Sequence, residues 1–207
     1  MKQILIFSAV FSLFLCHAAP AVWKQKNHTE CLKLTDALAA RAHGPGVFYD
    51  NLTKQLDENP KQLRLWYNDR EWTFCFRDES DLPDAVWELH LANSSSSGDL
   101  LILSAETGGK LTGEIFARRK GGIVAGKKSS VTDFGTVSVQ KKDGIRTVTV
   151  KIPAEKLKPF TAPAGANGAI NCFYIVNGKT PKVAAWNPTG NVNRTFPWCL
   201  GRLLIMK

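Results

Sequence analysis

Three kinds of side chain in this sequence could do chemistry: a histidine–glutamate pair, three strand glutamates and six tryptophans. Beyond the first 21 residues only His28, His43 and His90 remain, and His90 lies two residues from Glu88 in "VWELHL". A spacing of two on a strand puts both on one face, where they could move a proton or form half a metal site. An isolated pair of this kind reads more simply as a surface ion pair. Glu88, Glu106 and Glu114 could in principle supply the two carboxylates of a glycoside hydrolase. Their bland reading is solvent-facing charge on strands. The chain has no GxSxG, HExxH or phosphate-loop motif.

Trp23, Trp66, Trp72, Trp87, Trp186 and Trp198 carry more information. Flat rings suit the apolar faces of sugars, and neighbouring Asn or Arg can bind hydroxyls; the same rings also fill β-sheet cores. Trp72 and Trp87 fall within strand-like runs and read as core. Trp66, Trp186 and Trp198 fall near strand ends. With Arg194, Asn187 and Asn193 they form the candidate binding set. A basic stretch, "ARRKGGIVAGKK", holds Arg118, Arg119, Lys120, Lys127 and Lys128. It is expected to be a mobile loop that could take sulfate or uronate groups of an acidic glycan.

The elements that must position these residues follow from pattern. "MKQILIFSAVFSLFLCHAAPA", residues 1–21, has one early lysine, an apolar core and small residues at its end, the layout of a secretory signal. The mature protein is therefore expected outside the cytoplasm, secreted or periplasmic, with no membrane span. Of 27 basic residues Lys2 leaves with the signal, so 26 face 18 acidic ones, a formal charge of +8. Export argues against a nucleic-acid partner. Cys31, Cys75, Cys172 and Cys199 survive processing, and in an exported chain up to two disulfides are expected, with the pairing open.

Residues 22–62 are expected to be a helical and irregular segment packed on the main domain. Cys31, Leu34, Leu38 and Ala42 recur at helical spacing, and Phe48, Leu52 and Leu56 suggest a second short helical face. From Leu63 the period changes to two. "LRLWY" and "EWTFCFR" flank Asn68-Asp69, and a second pair flanks Asp143-Gly144, both hairpin signals. Roughly eight to ten short strands follow with no βαβ alternation, so the expected fold is all-β, an antiparallel sandwich of jelly-roll type.

Residues 63–207 also resemble carbohydrate-binding module family 9, within the DOMON-like sandwiches. The resemblance is carried in order by "EWTFCFRDES" with Asp78, "VWELHL" with Glu88, and "RTVTVKIPAEKLKP" through Val148, Val150, Ile152, Pro153 and Leu157. "AINCFYIVNG" follows, and then "AWNPTG…FPWCLGRLLIM" through Trp186, Pro197, Gly201, Arg202 and Leu203. The resemblance implies a sugar-binding domain with no catalysis of its own, taking poly- or oligosaccharides and needing no cofactor beyond a structural calcium, for which Asp78 is the candidate ligand. Two places where the family carries clamping tryptophans fall near Leu82 and Arg194, and a polar ligand contact falls near Ile175. This motivates an alternative: an exported structural or protein-interaction module that keeps the fold without the clamp. DOMON-like relatives include haem domains ligated by Met and His, but Met206 is the sole methionine beyond the signal, which argues against haem.

Overall fold

The computed structural model describes residues 28–34, 38, 41–42, 44–79, 85–195 and 200–206. The signal segment, Trp23, Leu82, Phe196, Trp198 and Cys199 lie outside them. Thirteen strands are present among the described residues: β1 (His28–Lys33), β2 (Tyr49–Asp50), β3 (Lys61–Tyr67), β4 (Glu71–Asp78), β5 (Ala85–Ala92), β6 (Leu100–Glu106), β7 (Leu111–Arg118), β8 (Val124–Val131), β9 (Thr136–Lys142), β10 (Ile145–Pro153), β11 (Asn167–Val176), β12 (Lys182–Ala185) and β13 (Gly201–Ile205). One short helix, α1 (Ala154–Leu157), follows Pro153.

The strands form one curled sheet in the order β8-β7-β6-β5-β11-β13-β1-β3-β4-β10-β9, with β12 and β2 attached beside β11. Most pairs are antiparallel. β1 is the exception: it runs parallel to β13 and then, from Leu32, parallel to β3. The sheet is therefore mixed and not purely antiparallel. β1 also corrects the start of the helix expected through Cys31, Leu34, Leu38 and Ala42, of which residues 35–37 and 39–40 lie outside the described ones. Thr29 and Cys31 are buried and Glu30 is exposed, a period of two that the spacing Cys31–Leu34–Leu38 concealed. A helix there would have left β3 and β13 with unpaired edges. The second predicted helical face also fails, since Phe48 is buried while Leu52 and Leu56 are exposed around β2.

The hairpin signals hold. Asp143 and Gly144 both have positive φ, 52° and 74°, which is a type I′ turn joining β9 to β10. At the first hairpin the Asn68 side chain accepts hydrogen bonds from the Arg70 and Glu71 amides. Of the stretch expected to be a mobile basic loop, 117–118 end β7 and 124–128 begin β8, paired along β7, so only 119–123 form the turn between them.

Side chains from both arms of the curled sheet meet in one main core. Trp87 of β5 stacks on Phe76 of β4 at 5.1 Å and meets Tyr174 edge-on at 4.8 Å and Phe48 at 5.8 Å. Leu63, Leu65, Phe74, Leu89, Leu91, Leu101, Val148 and Ile152 fill the space around them. The core is closed at one end by buried charge. Arg146 donates to Asp78 at 2.8 Å and to the Tyr174 hydroxyl at 2.9 Å, while the Trp87 indole donates to Asp78 at 3.3 Å.

Candidate ligand-binding face on β5 and β11

Alternation along β5 sends Trp87, Leu89 and Leu91 inward and leaves Glu88 and His90 on the outer face, as the spacing predicted. They are not a surface pair. His90 is 0% exposed and Glu88 8%. The bonded partner of Glu88 comes from the loop between β12 and β13: Arg194 Nε donates to Glu88 Oε1 at 2.9 Å and its terminal nitrogen to Oε2 at 3.1 Å. His90 Nε2 lies 2.8 Å from Glu88 Oε1. A carboxylate only accepts, so Nε2 carries the proton. The His90 ring packs on Phe173 of β11 at 4.8 Å, and its Nδ1 is buried with no hydrogen-bond partner among the described residues.

Burial by itself would raise the Glu88 carboxyl. The hydrogen bond and charge of His90, then those of Arg194, outweigh it and hold the group at about 2. Glu88 is therefore ionised at every working pH. Glu114 pairs with Lys127 and Glu106 with Lys110 at 3.6 Å, so each of the three glutamates sits beside a cation. A general acid needs the opposite environment, one that keeps its proton near neutrality.

Two asparagines that the sequence reading did not single out for a role build the loop. Asn171, fully buried in β11, donates to the Asn187 carbonyl at 2.8 Å and accepts from the Asn187 amide at 3.0 Å. Asn51 does the same further along, donating to the Asn191 carbonyl at 2.8 Å and accepting from the Thr189 amide at 2.8 Å. An asparagine amid the apolar run "AINCFYIV" is the signal that could have found the first; a buried amide must be bonded.

The predicted site residues separate into three groups. Arg194 and Asn193 are together on the loop, Arg194 half-exposed with its side chain at 31% and Asn193 exposed. The Asn193 side-chain oxygen accepts from the Thr195 amide at 2.9 Å. Asn187 is buried and anchors the loop through its backbone. Trp186, 4% exposed, belongs to the core, and Trp66 is 7% exposed, so neither offers a ring face to a ligand. Trp198 lies outside the described residues. Ile175, near the place of a polar contact in the resembled family, is buried in a small apolar cluster with Phe173 and Ala185.

The basic stretch is largely consumed internally. Arg118 donates to the carbonyls of Ser94 and Gly98, both at 2.8 Å, and so holds the "SSSSG" connector closed. Lys128 pairs with Asp99 at 2.7 Å. Only Arg119 and Lys120 of the five carry no ion pair or side-chain hydrogen bond among the described residues. Asp78 does not fit calcium, because Arg146 and Trp87 already occupy both its oxygens. No group of three His, Cys, Asp or Glu that could hold a metal occurs among the described residues. Cys31, Cys75 and Cys172 are free thiols. No helix among the described residues is long and apolar enough to cross a membrane.

No protein-family profile and no curated protein matches the sequence. Solved structures do match in shape. A protein from Bacteroides uniformis ATCC 8492, provisionally described as carbohydrate-binding, superposes with a TM-score of 0.63 at 12% identity, over 87% of this chain and 99% of that one. A family 9 carbohydrate-binding module from Caldicellulosiruptor kristjanssonii, crystallised with cellotriose, superposes with a TM-score of 0.53 at 9% identity, over 87% and 94%. The chain has a family-9-like fold. At these identities the likeness speaks for backbone architecture, and it covers both arms of the curled sheet. Within the family-9-like fold, the outer face of β5 and the loop before β13 are the elements that the sequence motifs had pointed to.

Proposed function

We propose that this protein is an exported, non-catalytic carbohydrate-binding domain of the family 9 type, with a two-layered sandwich arrangement, and that it binds neutral oligosaccharide chains at the outer face of β5. The observation that carries the reading is the fold likeness, over nearly the whole of both chains, to a family 9 module holding cellotriose. The geometry of the face agrees with it. Glu88 orients Arg194 through two hydrogen bonds, and the half-exposed guanidinium has further N–H groups for ligand hydroxyls. Asn193 adds an exposed amide beside it. Trp198, four residues on, is the ring that would cover a sugar. The low value of Glu88 and the cation beside each of Glu88, Glu106 and Glu114 argue against hydrolysis. Removal of residues 1–21 on export completes the proposal.

Calorimetric titration with cellotriose, backed by an array of neutral and acidic glycans, tests the binding. Arg194→Ala and Trp198→Ala should each weaken it about tenfold or more. Absence of binding to any glycan sinks the reading. A second reading has its own observation: Arg194, near the place where the resembled family carries a clamping tryptophan, turns down onto Glu88. On that reading the domain contacts another exported protein. Capture of one defined partner with no glycan bound would favour it.

A further inference from the structure

A cavity lies on the other face of β11, away from Arg194. Alternation explains the separation: Phe173 points outward beside the Glu88 face, whereas Tyr174 and Val176 point inward and line the cavity. Its volume is about 560 Å³, inside the ~300–1,000 Å³ range of ligand pockets. Tyr174, Val176 and Ala184 make an apolar floor, and Leu56 stands at the wall with 42% of its surface exposed.

We propose that this cavity is a second saccharide subsite, selective for neutral sugar units; it rests on the carbohydrate-binding reading but not on the Arg194 face. The cavity is built in advance of any ligand. The Lys61 ammonium, buried at its base, donates to Asp57 at 2.9 Å and to the Asn59 carbonyl at 3.1 Å, and lies 5.0 Å from the centre of the Tyr174 ring. That tie fixes the 56–61 wall against β11, so little ordering remains to be done on binding. Asp50, opposite Ala184 on β2, uses Oδ1 to accept from the Leu52 and Thr53 amides at 3.0 and 2.7 Å. Its other oxygen is left for a ligand.

The remaining rim reads as a hydroxyl-binding set. The side chains of Glu58, Asn177, Thr180 and Lys182 carry no hydrogen bond or ion pair among the described residues. They offer acceptors and donors together, which is what a polyol requires. Charge then sets the selectivity. Lys61 cancels Asp57, and Asp50 and Glu58 outnumber Lys182, so the rim is slightly negative on a basic protein. Uronate or sulfated units meet like charge there, whereas neutral pyranoses do not.

Amide chemical-shift titration of the full chain with cellotriose, and in parallel with trigalacturonate, tests this. Asn177, Thr180 and Val183 report on the cavity; Asn193 and Thr195 report on the Arg194 face. Cellotriose should move the cavity amides, and Leu56→Lys with Thr180→Trp, both at exposed positions, should weaken that response about tenfold while the melting temperature stays near wild type. Cavity amides that stay still, that ignore the two substitutions, or that respond equally to trigalacturonate overturn the proposal. Movement in the cavity with silence at Asn193 and Thr195 removes the Arg194 face from the reading above and leaves the cavity standing. Silence at both removes both.

Discussion

Arg194 and Glu88 answer to each other, and each is costly without its partner. Removing the guanidinium leaves a buried carboxylate with only His90 beside it. Arg194→Ala should therefore cost about 1–3 kcal/mol in urea unfolding, and Glu88→Gln in the same chain should restore part of the loss, as a double-mutant cycle would read it. Acid provides the second test at this residue. Its folded-state value, about 2, lies below that of the unfolded chain. The contribution of Glu88 is therefore complete above the ordinary glutamate range near 4.3 and is lost as pH falls towards about 2. The stability difference between wild type and Glu88→Gln should be constant near neutrality and shrink across that acid window. Asp78 makes the sharper case. It serves both Arg146 and Trp87 inside the core, so Asp78→Ala should cost about 3–5 kcal/mol.

At the scale of elements, turns and close approaches decide. Gly135 leads into β9, and a methyl added there would sit 2.2 Å from the Lys151 carbonyl oxygen on β10. Gly135→Ala must push backbone apart and should lower the melting temperature more than Gly144→Ala, which meets open space and is charged only for its positive φ, about 1 kcal/mol. Both hairpins and the faces of β5 were legible in the sequence, because period two and turn residues are local signals. β1 was not. Its six residues hold only two apolar ones, Cys31 and Leu32, too few to set a period, and the choice came from β13 and β3, each more than 25 residues from it along the chain.

At the scale of the molecule, the curled sheet encloses one core to which both arms contribute. Denaturant unfolding should accordingly be a single cooperative transition by fluorescence and circular dichroism alike. Cys31 and Cys172 lie inside that core, and burial pushes both thiols up, far from the reactive thiolate. In the native protein neither should react with a thiol reagent at neutral pH, and both should label on the unfolding transition. Labelling of either in the folded state would show that the core opens locally.

The sequence by itself determined a mainly β domain, the turn positions, the shared face of Glu88 and His90, and the loop that carries Arg194. These depend on neighbours within a few residues. It could not determine that Trp186 and Trp66 are buried, that Arg118 and Asp78 are spent on internal partners, or that Arg194 folds onto Glu88. Those outcomes depend on which residues the curl of the sheet brings together across distances of 20 to more than 100 positions. A side chain's freedom to bind a ligand is what remains after those partners are satisfied. Only the tertiary structure settles that remainder.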